Sequence, residues 1–278
     1  MSSTFVLDGV TPVSRLGYGA MQITGPGWYG EPADRPEAIR VLRRAVELGV
    51  NLIDTADSYG PHISEELIAE ALHPYPEGLV IATKGGLTRP GPGQWARHAP
   101  PGELRGLVEG SLRRLKLERI DLYQLHRIDV RYPAEAQFEA LAELRAEGKI
   151  GHIGLSEVTV AEIELARSIV PIATVQNIYN LLQRDWEDVV DHCAAHNIGF
   201  FPWHPIATGE LARPGGPLDA IAREHEATPA QVALAWLLQR TPVMLPIPGT
   251  SKVKHLEENM AGGDLKLSAA AVETLDNL

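Results

Sequence analysis

A single cysteine, Cys193, in 278 residues excludes an intrachain disulfide and a thiolate metal cluster built from this chain alone. Such a chain fits a reducing cytoplasm. Long apolar runs are missing too: no uninterrupted stretch approaches the roughly 20 residues that span a bilayer. The start, MSSTFVLDGV, lacks the basic and apolar regions of an export signal, so a cytoplasmic location is expected. Basic charge is in deficit, with 25 Lys and Arg against 36 Asp and Glu, a net charge of −11 and a pI near 5.4. Nucleic acid and anionic membranes would repel such a surface at long range, which leaves a small molecule as the natural partner. No third glycine completes Gly17-Tyr18-Gly19-Ala20-Met21, so the fingerprint of an open dinucleotide-binding sheet is absent. Gly17 and Gly19 read as close-packing glycines, with a cofactor contact left open. The histidines show no H-E-x-x-H or comparable ligand spacing, and no metal is expected. No Ser/Gly linker or break in composition divides the chain.

What is present is a repeat of short β-branched runs and longer stretches with helical spacing, the pattern of parallel βαβ units. Eight strands are predicted: Arg15 to Ala20, Asn51 to Thr55, Leu79 to Thr83, Ile120 to Leu125, Ile150 to Leu155, Thr174 to Asn177, Gly199 to Trp203 and Val243 to Ile247. Helices are expected over Pro36 to Leu48, Glu103 to Leu117, Glu135 to Glu147 and Ala230 to Gln239, with Gly49 and Gly148 as stops and Thr228-Pro229 as a start. Ahead of them, Phe5 to Leu7 and Val10 to Val13 flank Asp8-Gly9, the signal of a hairpin that could plug the bottom of a barrel. With 44% hydrophobic residues the chain can bury a large core. Eight sequential units favour one closed (β/α)8 TIM barrel over residues 1–278, with an N-terminal β-hairpin, rather than an open doubly wound sheet.

In such a barrel the functional residues sit at the C-terminal ends of the strands. Strand two ends in Asp54-Thr-Ala-Asp57-Ser-Tyr59-Gly60, strand three in Thr83-Lys84-Gly85, strand four in His126-Arg127, strand five in Ser156-Glu157, strand six in Gln176-Asn177 and strand seven in Trp203-His204. Asp54, Tyr59, Lys84 and His126 come from three neighbouring strands and can converge at one mouth. Carbonyl reduction needs such a set. A lysine cation favours the phenolate and lowers a tyrosine's pKa toward neutrality. Asp54 would hold Lys84 charged and aimed, and a neutral His126 could polarise a carbonyl oxygen.

The segments D-T-A-D-S-Y-G, T-K-G, L-H, G-L-S, V-Q-N and P-G-T-S-K-V-K-H-L-E-E-N, in this order over nearly the whole chain, resemble the aldo-keto reductases. The resemblance implies that Asp54, Tyr59, Lys84 and His126 are the catalytic tetrad and that NADPH/NADP+ is the cofactor. It places Ser156 and Gln176 on the nicotinamide carboxamide and Trp203 against the nicotinamide ring. Gly19, Met21, Pro205 and Gly209 join them as cofactor contacts. Gly249, Thr250, Ser251, Lys252 and His255 fall near the 2′-phosphate, and Glu258 and Asn259 near the adenine. Lys252 and the N–H groups opening a helix near Val253 suit a dianion, which favours NADP(H) over NAD(H). One position departs from the family: Glu157 stands where Asn is usual, and an ionised carboxylate can accept from the carboxamide but cannot donate to it. L-G-Y-G-A-M-Q, Y-G-P-H and A-L-A-W-L-L-Q-R further resemble the bacterial pyridoxal reductases of the family, which implies reduction of pyridoxal to pyridoxine.

Substrate choice is expected in loops. Trp28 and Tyr29 are read as a lid or wall, and a long mobile loop after Lys84 brings Trp95 or Arg89 to the substrate. A chain that stops at Leu278, soon after its last helix, implies an open pocket. Each of these residues also has an ordinary structural reading: Tyr59 as a packing tyrosine, Lys84 as a strand-end lysine, Asp54 as a helix cap, His126 as a core histidine, Trp203 as core. The basic run Arg113 to Arg119 reads as a solvated helix end. Three other readings stay open: a general aldehyde and ketone reductase not specific for pyridoxal, a metal centre of Asp54, His126 and His152, and a cofactor-binding regulatory subunit without significant turnover.

Overall fold

The computed structural model describes residues 4–207, 211 and 215–278. Strands β1 (Thr4–Leu7) and β2 (Thr11–Ser14) pair antiparallel around Asp8 and Gly9, both with positive φ. Phe5, Leu7 and Val13 point into the main core. The parallel strands follow as β3 (Tyr18–Gly19), β4 (Leu52–Asp54) and β5 (Val80–Gly85). After a short antiparallel ladder of β6 (Leu87–Thr88) and β7 (Ala96–Arg97) come β8 (Ile120–Leu125), β9 (Ile150–Ser156), β10 (Thr174–Gln176) and β11 (Gly199–Phe200). The seven parallel strands pair in chain order.

The expected eighth strand is not a regular one. Over residues 243–248 the chain still bonds to both edges of the sheet. Phe200 N donates to Val243 O at 2.8 Å and Leu245 N to Phe200 O at 2.8 Å. On the other side Gly17 N donates to Pro246 O at 2.9 Å and Gly19 N to Pro248 O at 3.3 Å. Pro246 and Pro248 have no N–H to return, so at those two positions the stave only accepts from the β3 edge. The barrel closes through this seam. It also needs the two glycines there, since a Cβ on Gly19 would lie 2.5 Å from Ile247 O and one on Gly249 2.8 Å from Gly19 O.

The helices are α1 (Arg35–Glu47), α2 (Ile63–Leu72), α3 (Pro101–Leu115), α4 (Ala134–Ala146), α5 (Val160–Arg167), α6 (Glu187–His196), α7 (Asp219–Glu224), α8 (Pro229–Arg240), α9 (Val253–Ala261) and α10 (Ala269–Asp276). Their starts obey local chemistry. Asp34 Oδ1 accepts from Glu37 N at 2.9 Å, and Thr228 with Gln231 forms a capping box. Helix α3 starts at Pro101, two residues before the expected point, because proline suits a first helical position. The basic run at its end is not simply solvated: Arg114 Nε reaches inward to the fully buried Glu65, 2.6 Å from Oε2.

Candidate active site

Asp54 ends β4, Lys84 lies in the last turn of pleat of β5, His126 follows β8, and Tyr59 stands on the loop between β4 and α2. Parallel neighbours in register bring all four to one end of the barrel, and each is at most 6% exposed. The Lys84 ammonium donates to Asp54 Oδ2 at 2.6 Å, to Thr55 O at 2.8 Å and to the Tyr59 hydroxyl at 3.2 Å. Asp54 Oδ1 takes the amides of Gln124 at 3.0 Å and Gln176 at 2.9 Å. Burial pulls the Lys84 pKa down, but Asp54 and Tyr59 together outweigh it and hold the ammonium above the ordinary lysine range. The balance at Tyr59 differs from expectation. Burial pushes its pKa up by more than Lys84 pulls it down, so the phenol keeps its proton at neutral pH.

His126 meets Tyr59 edge-on, with ring centroids 6.0 Å apart. Burial, followed by the charges of Lys84 and Arg127, pushes its imidazole well below the ordinary range, so the ring is neutral. Its Nδ1 lies 3.3 Å from Ser58 Oγ. A hydroxyl donating to Nδ1 leaves the ring proton on Nε2. The alternative metal trio is not assembled, because His152 lies early in β9 and bonds Thr11 Oγ1 at 2.9 Å and Asp8 Oδ2 at 3.0 Å in the hairpin at the opposite end.

Gln176 spends its Nε2 on Asp54 and, at 3.3 Å, on Gln124 Oε1, which leaves its own Oε1 to accept from a carboxamide NH2. Ser156 Oγ takes Arg127 Nη1 at 2.8 Å, and the same nitrogen donates to His126 O at 2.6 Å. Glu157 has no share in this. With φ at +56°, it turns its Oε1 to the indole N–H of Trp203 at 2.6 Å and to Ile178 N at 2.7 Å. It therefore orients Trp203, half-buried and stacked on His204, instead of standing in for the family's asparagine. Sequence reading missed this clamp and the reach of Arg127, although both residues stand beside singled-out positions. Pro205 is buried just past His204, and Gly209 lies outside the described residues.

At the far end, the Gly249–Lys252 segment runs from the seam into α9. Thr250 O takes the Tyr18 hydroxyl at 2.7 Å, and Thr250 Oγ1 takes Lys252 N at 3.1 Å. Ser251, Lys252 and His255 are exposed, and Asn259 is buried. The helix start already carries an anion: Glu37 Oε1 accepts from Val253 N at 3.2 Å. Arg40, then Val253 N, hold the Glu37 carboxyl below its ordinary range. A cleft of about 420 Å³ opens between Trp28 at one side and Ser251 and Lys252 at the other, with Gln22 and Asp34 in its lining. Met21 sits beside it in a 3-10 turn, Ala20–Ile23.

A family model described as the aldo/keto reductase family matches residues 15–278. The chain belongs to the aldo/keto reductase family. Among relatives of this reductase, an uncharacterized oxidoreductase of Schizosaccharomyces pombe is 51% identical over 264 residues, 95% of this chain and 86% of the relative. Pyridoxine 4-dehydrogenase of Escherichia coli is 46% identical over 283 residues, 100% of this chain and 98% of the relative. Among solved structures, a glycerol dehydrogenase from Gluconobacter oxydans superposes with a TM-score of 0.89 at 26% identity, covering 99% and 94% of the two chains. An aldo-keto reductase from Klebsiella pneumoniae in complex with NADPH gives 0.85 at 27% identity, covering 100% and 95%.

In this reductase the segment after Lys84 is not a long mobile loop. It folds into the β6–β7 ladder, and Arg89 pins it. The Arg89 guanidinium donates to Gly27 O at 2.6 Å, Trp28 O at 2.8 Å and Gln94 O at 2.8 Å, and lies 3.7 Å from the centre of the Trp95 ring. Arg89 is buried and so committed to the wall, which removes it as a free substrate ligand. Trp95 completes an aromatic face, with centroids 6.4 Å from Tyr59, 6.2 Å from His126 and 6.4 Å from Trp28. Tyr29 is set behind it, 5.8 Å from the Arg89 guanidinium.

Proposed function

We propose that the chain is an NADP(H)-dependent oxidoreductase that reduces an aldehyde or ketone to the alcohol, with pyridoxal as its substrate. The observation that carries the reading is the Lys84 ammonium held between Asp54 and the Tyr59 hydroxyl beside a neutral imidazole. NADPH, when bound, supplies the hydride. Ser156 and the Oε1 of Gln176 hold its carboxamide, Trp203 offers a ring face, and Ser251, Lys252 and the first turn of α9 take the 2′-phosphate, with His255 nearby and Glu258 and Asn259 at the adenine. The donor set suits that group: the Gln176 amide oxygen at the tetrad, and the exposed Lys252 on a cleft that it lines with Gln22, Trp28 and Ser251.

Within this reading the Nε2–H of His126 bonds the carbonyl oxygen and fixes its position. Tyr59 gives its proton to that oxygen as charge develops there. Its raised pKa keeps the proton in place until then, and Lys84 at 3.2 Å stabilises the phenolate left behind. Asp54, steadied by Gln124 and Gln176, keeps Lys84 charged. Trp95 stands beside Tyr59 and His126, and an indole there suits contact with the flat ring of a pyridine aldehyde. The 46% identity to a pyridoxine dehydrogenase over the full length supports the same substrate. The test is NADPH consumption with a panel of aldehydes that includes pyridoxal. Tyr59→Phe should lose roughly 10²- to 10⁴-fold in turnover with NADPH affinity nearly intact. Tight NADPH binding with no aldehyde turned over would sink the reading, and unchanged turnover in Tyr59→Phe would remove Tyr59 from its role.

A further inference from the structure

The outer helical layer carries a cluster that the reduction does not use. His192 and His196 lie one turn apart on α6, their ring centroids 4.2 Å from each other. Glu164 of the adjacent α5 meets them, with Oε1 3.0 Å from His192 Nε2. One ligand atom from each of the three lies within 4.8 Å of the others. His196 Nδ1 is 3.0 Å from the carbonyl oxygen of His192, a contact that requires the proton on Nδ1 and frees the Nε2 lone pair. Metal-binding imidazoles are commonly set by such a bond from the second ring nitrogen to a carbonyl.

We propose that Glu164, His192 and His196 form a surface site for a first-row divalent cation, Zn²⁺ in the first instance, that clasps α5 to α6. Two imidazoles and one carboxylate are a recurrent zinc set with a fourth position open to water. The ligand atoms need to close from 4.8 Å to roughly 3.4 Å, the separation about a tetrahedral zinc. Glu164 and His196 are exposed and their side chains can rotate to do so. The cation has a rival, since Arg167 Nη1 also bonds Glu164 Oε1. Cys193 between the histidines is fully buried and takes no part. Sequence reading passed over this pair although His192 and His196 have the i, i+4 spacing of the two histidines in H-E-x-x-H, because Cys193 stands where that motif has glutamate.

The experiment uses the full chain without an affinity tag, stripped with chelator and titrated with Zn²⁺ against a chromophoric indicator, and with Co²⁺ followed by its visible absorption. One equivalent should bind, and Co²⁺ should show a spectrum distinct from the hydrated ion. His192→Ala and His196→Ala should each weaken Zn²⁺ by about tenfold or more, the scale of losing support at a metal site. Arg167→Gln should tighten it, because the rival cation is gone. His98→Ala, which breaks a His–Glu pair lacking a second imidazole, should change nothing. Should a histidine variant fail to fold, the cobalt spectrum and the Arg167→Gln titration decide on their own. Zn²⁺ affinity indifferent to both histidines, a Co²⁺ spectrum identical to that of the hydrated ion, or no tightening in Arg167→Gln would overturn the proposal.

Discussion

Replacing Lys84 by methionine tests the buried pair at the centre of the site. Lys84 is 0% exposed, and its loss strands a carboxylate that is 2% exposed. Breaking a buried ion pair from one side costs about 3–5 kcal/mol. Asp54 here keeps two amide donors on Oδ1 and loses only the bond on Oδ2, so the low end applies, about 3 kcal/mol. In a barrel of this size that lowers the melting midpoint by roughly 6–12 °C. Asp54→Asn added to Lys84→Met removes the stranded charge and should recover about 2 kcal/mol of the loss. The assay is a double-mutant cycle by urea denaturation. Strictly additive losses would refute the coupling. The pH dependence has a definite sign: with the folded Lys84 raised above its ordinary value, the pair's stability is whole below about pH 10.4 and is lost as pH rises through the folded value. Lys84→Met should lack that alkaline decline.

Glu37→Gln should tighten NADPH by about threefold with NADH unchanged, because a fixed anion at the α9 start repels the 2′-phosphate. Lys252→Ala should do the reverse, and equal effects on both cofactors, measured by fluorescence titration, would remove either residue from the phosphate site. Glu157→Ala should cost about 2 kcal/mol of stability and weaken NADPH, as two bonds to a carboxylate and the setting of Trp203 are lost. Glu157→Gln, which keeps an acceptor, should restore most of the affinity. His126, neutral and depressed in the fold, makes stability full above about pH 6.5 and lost as pH falls toward its folded value, by at most about 1.4 kcal/mol per unit. Denaturation of His126→Gln between pH 7 and pH 5, roughly the range of imidazole titration, should show a shallower acid slope.

Strand ends were the legible part of the sequence, since in a parallel barrel the chain order of polar residues after each apolar run is also their order around the mouth. Asp54, Tyr59, Lys84 and His126 could be read together for that reason, as could the hairpin from Asp8-Gly9. What lay beyond reading was direction. Nothing in Ser-Glu tells that Glu157 takes a positive φ and turns to Trp203 instead of to the mouth. Nothing in the glycine-rich run after Lys84 tells that Arg89 folds back over Trp95. Long-range contacts hid likewise: the ion pair of Arg114 with Glu65 spans 49 residues, and the hydrogen bond from Val253 N to Glu37 spans 216. The regular eighth strand failed for a simpler reason, as Pro246 was visible but was counted as part of the apolar run Val243 to Ile247.

Those prolines give the barrel a preferred place to breathe. Along the β3 edge Pro246 and Pro248 each receive a bond and have no N–H to return one, whereas β8 and β9 are paired through five registered positions. Amide exchange should therefore be fastest at Gly17 and Gly19, whose N–H groups hold that joint. The same stave continues without a break into Gly249–Lys252. A ligand that grips those residues holds the loosest seam shut, so occupancy there would be felt as slowed exchange around the whole mouth.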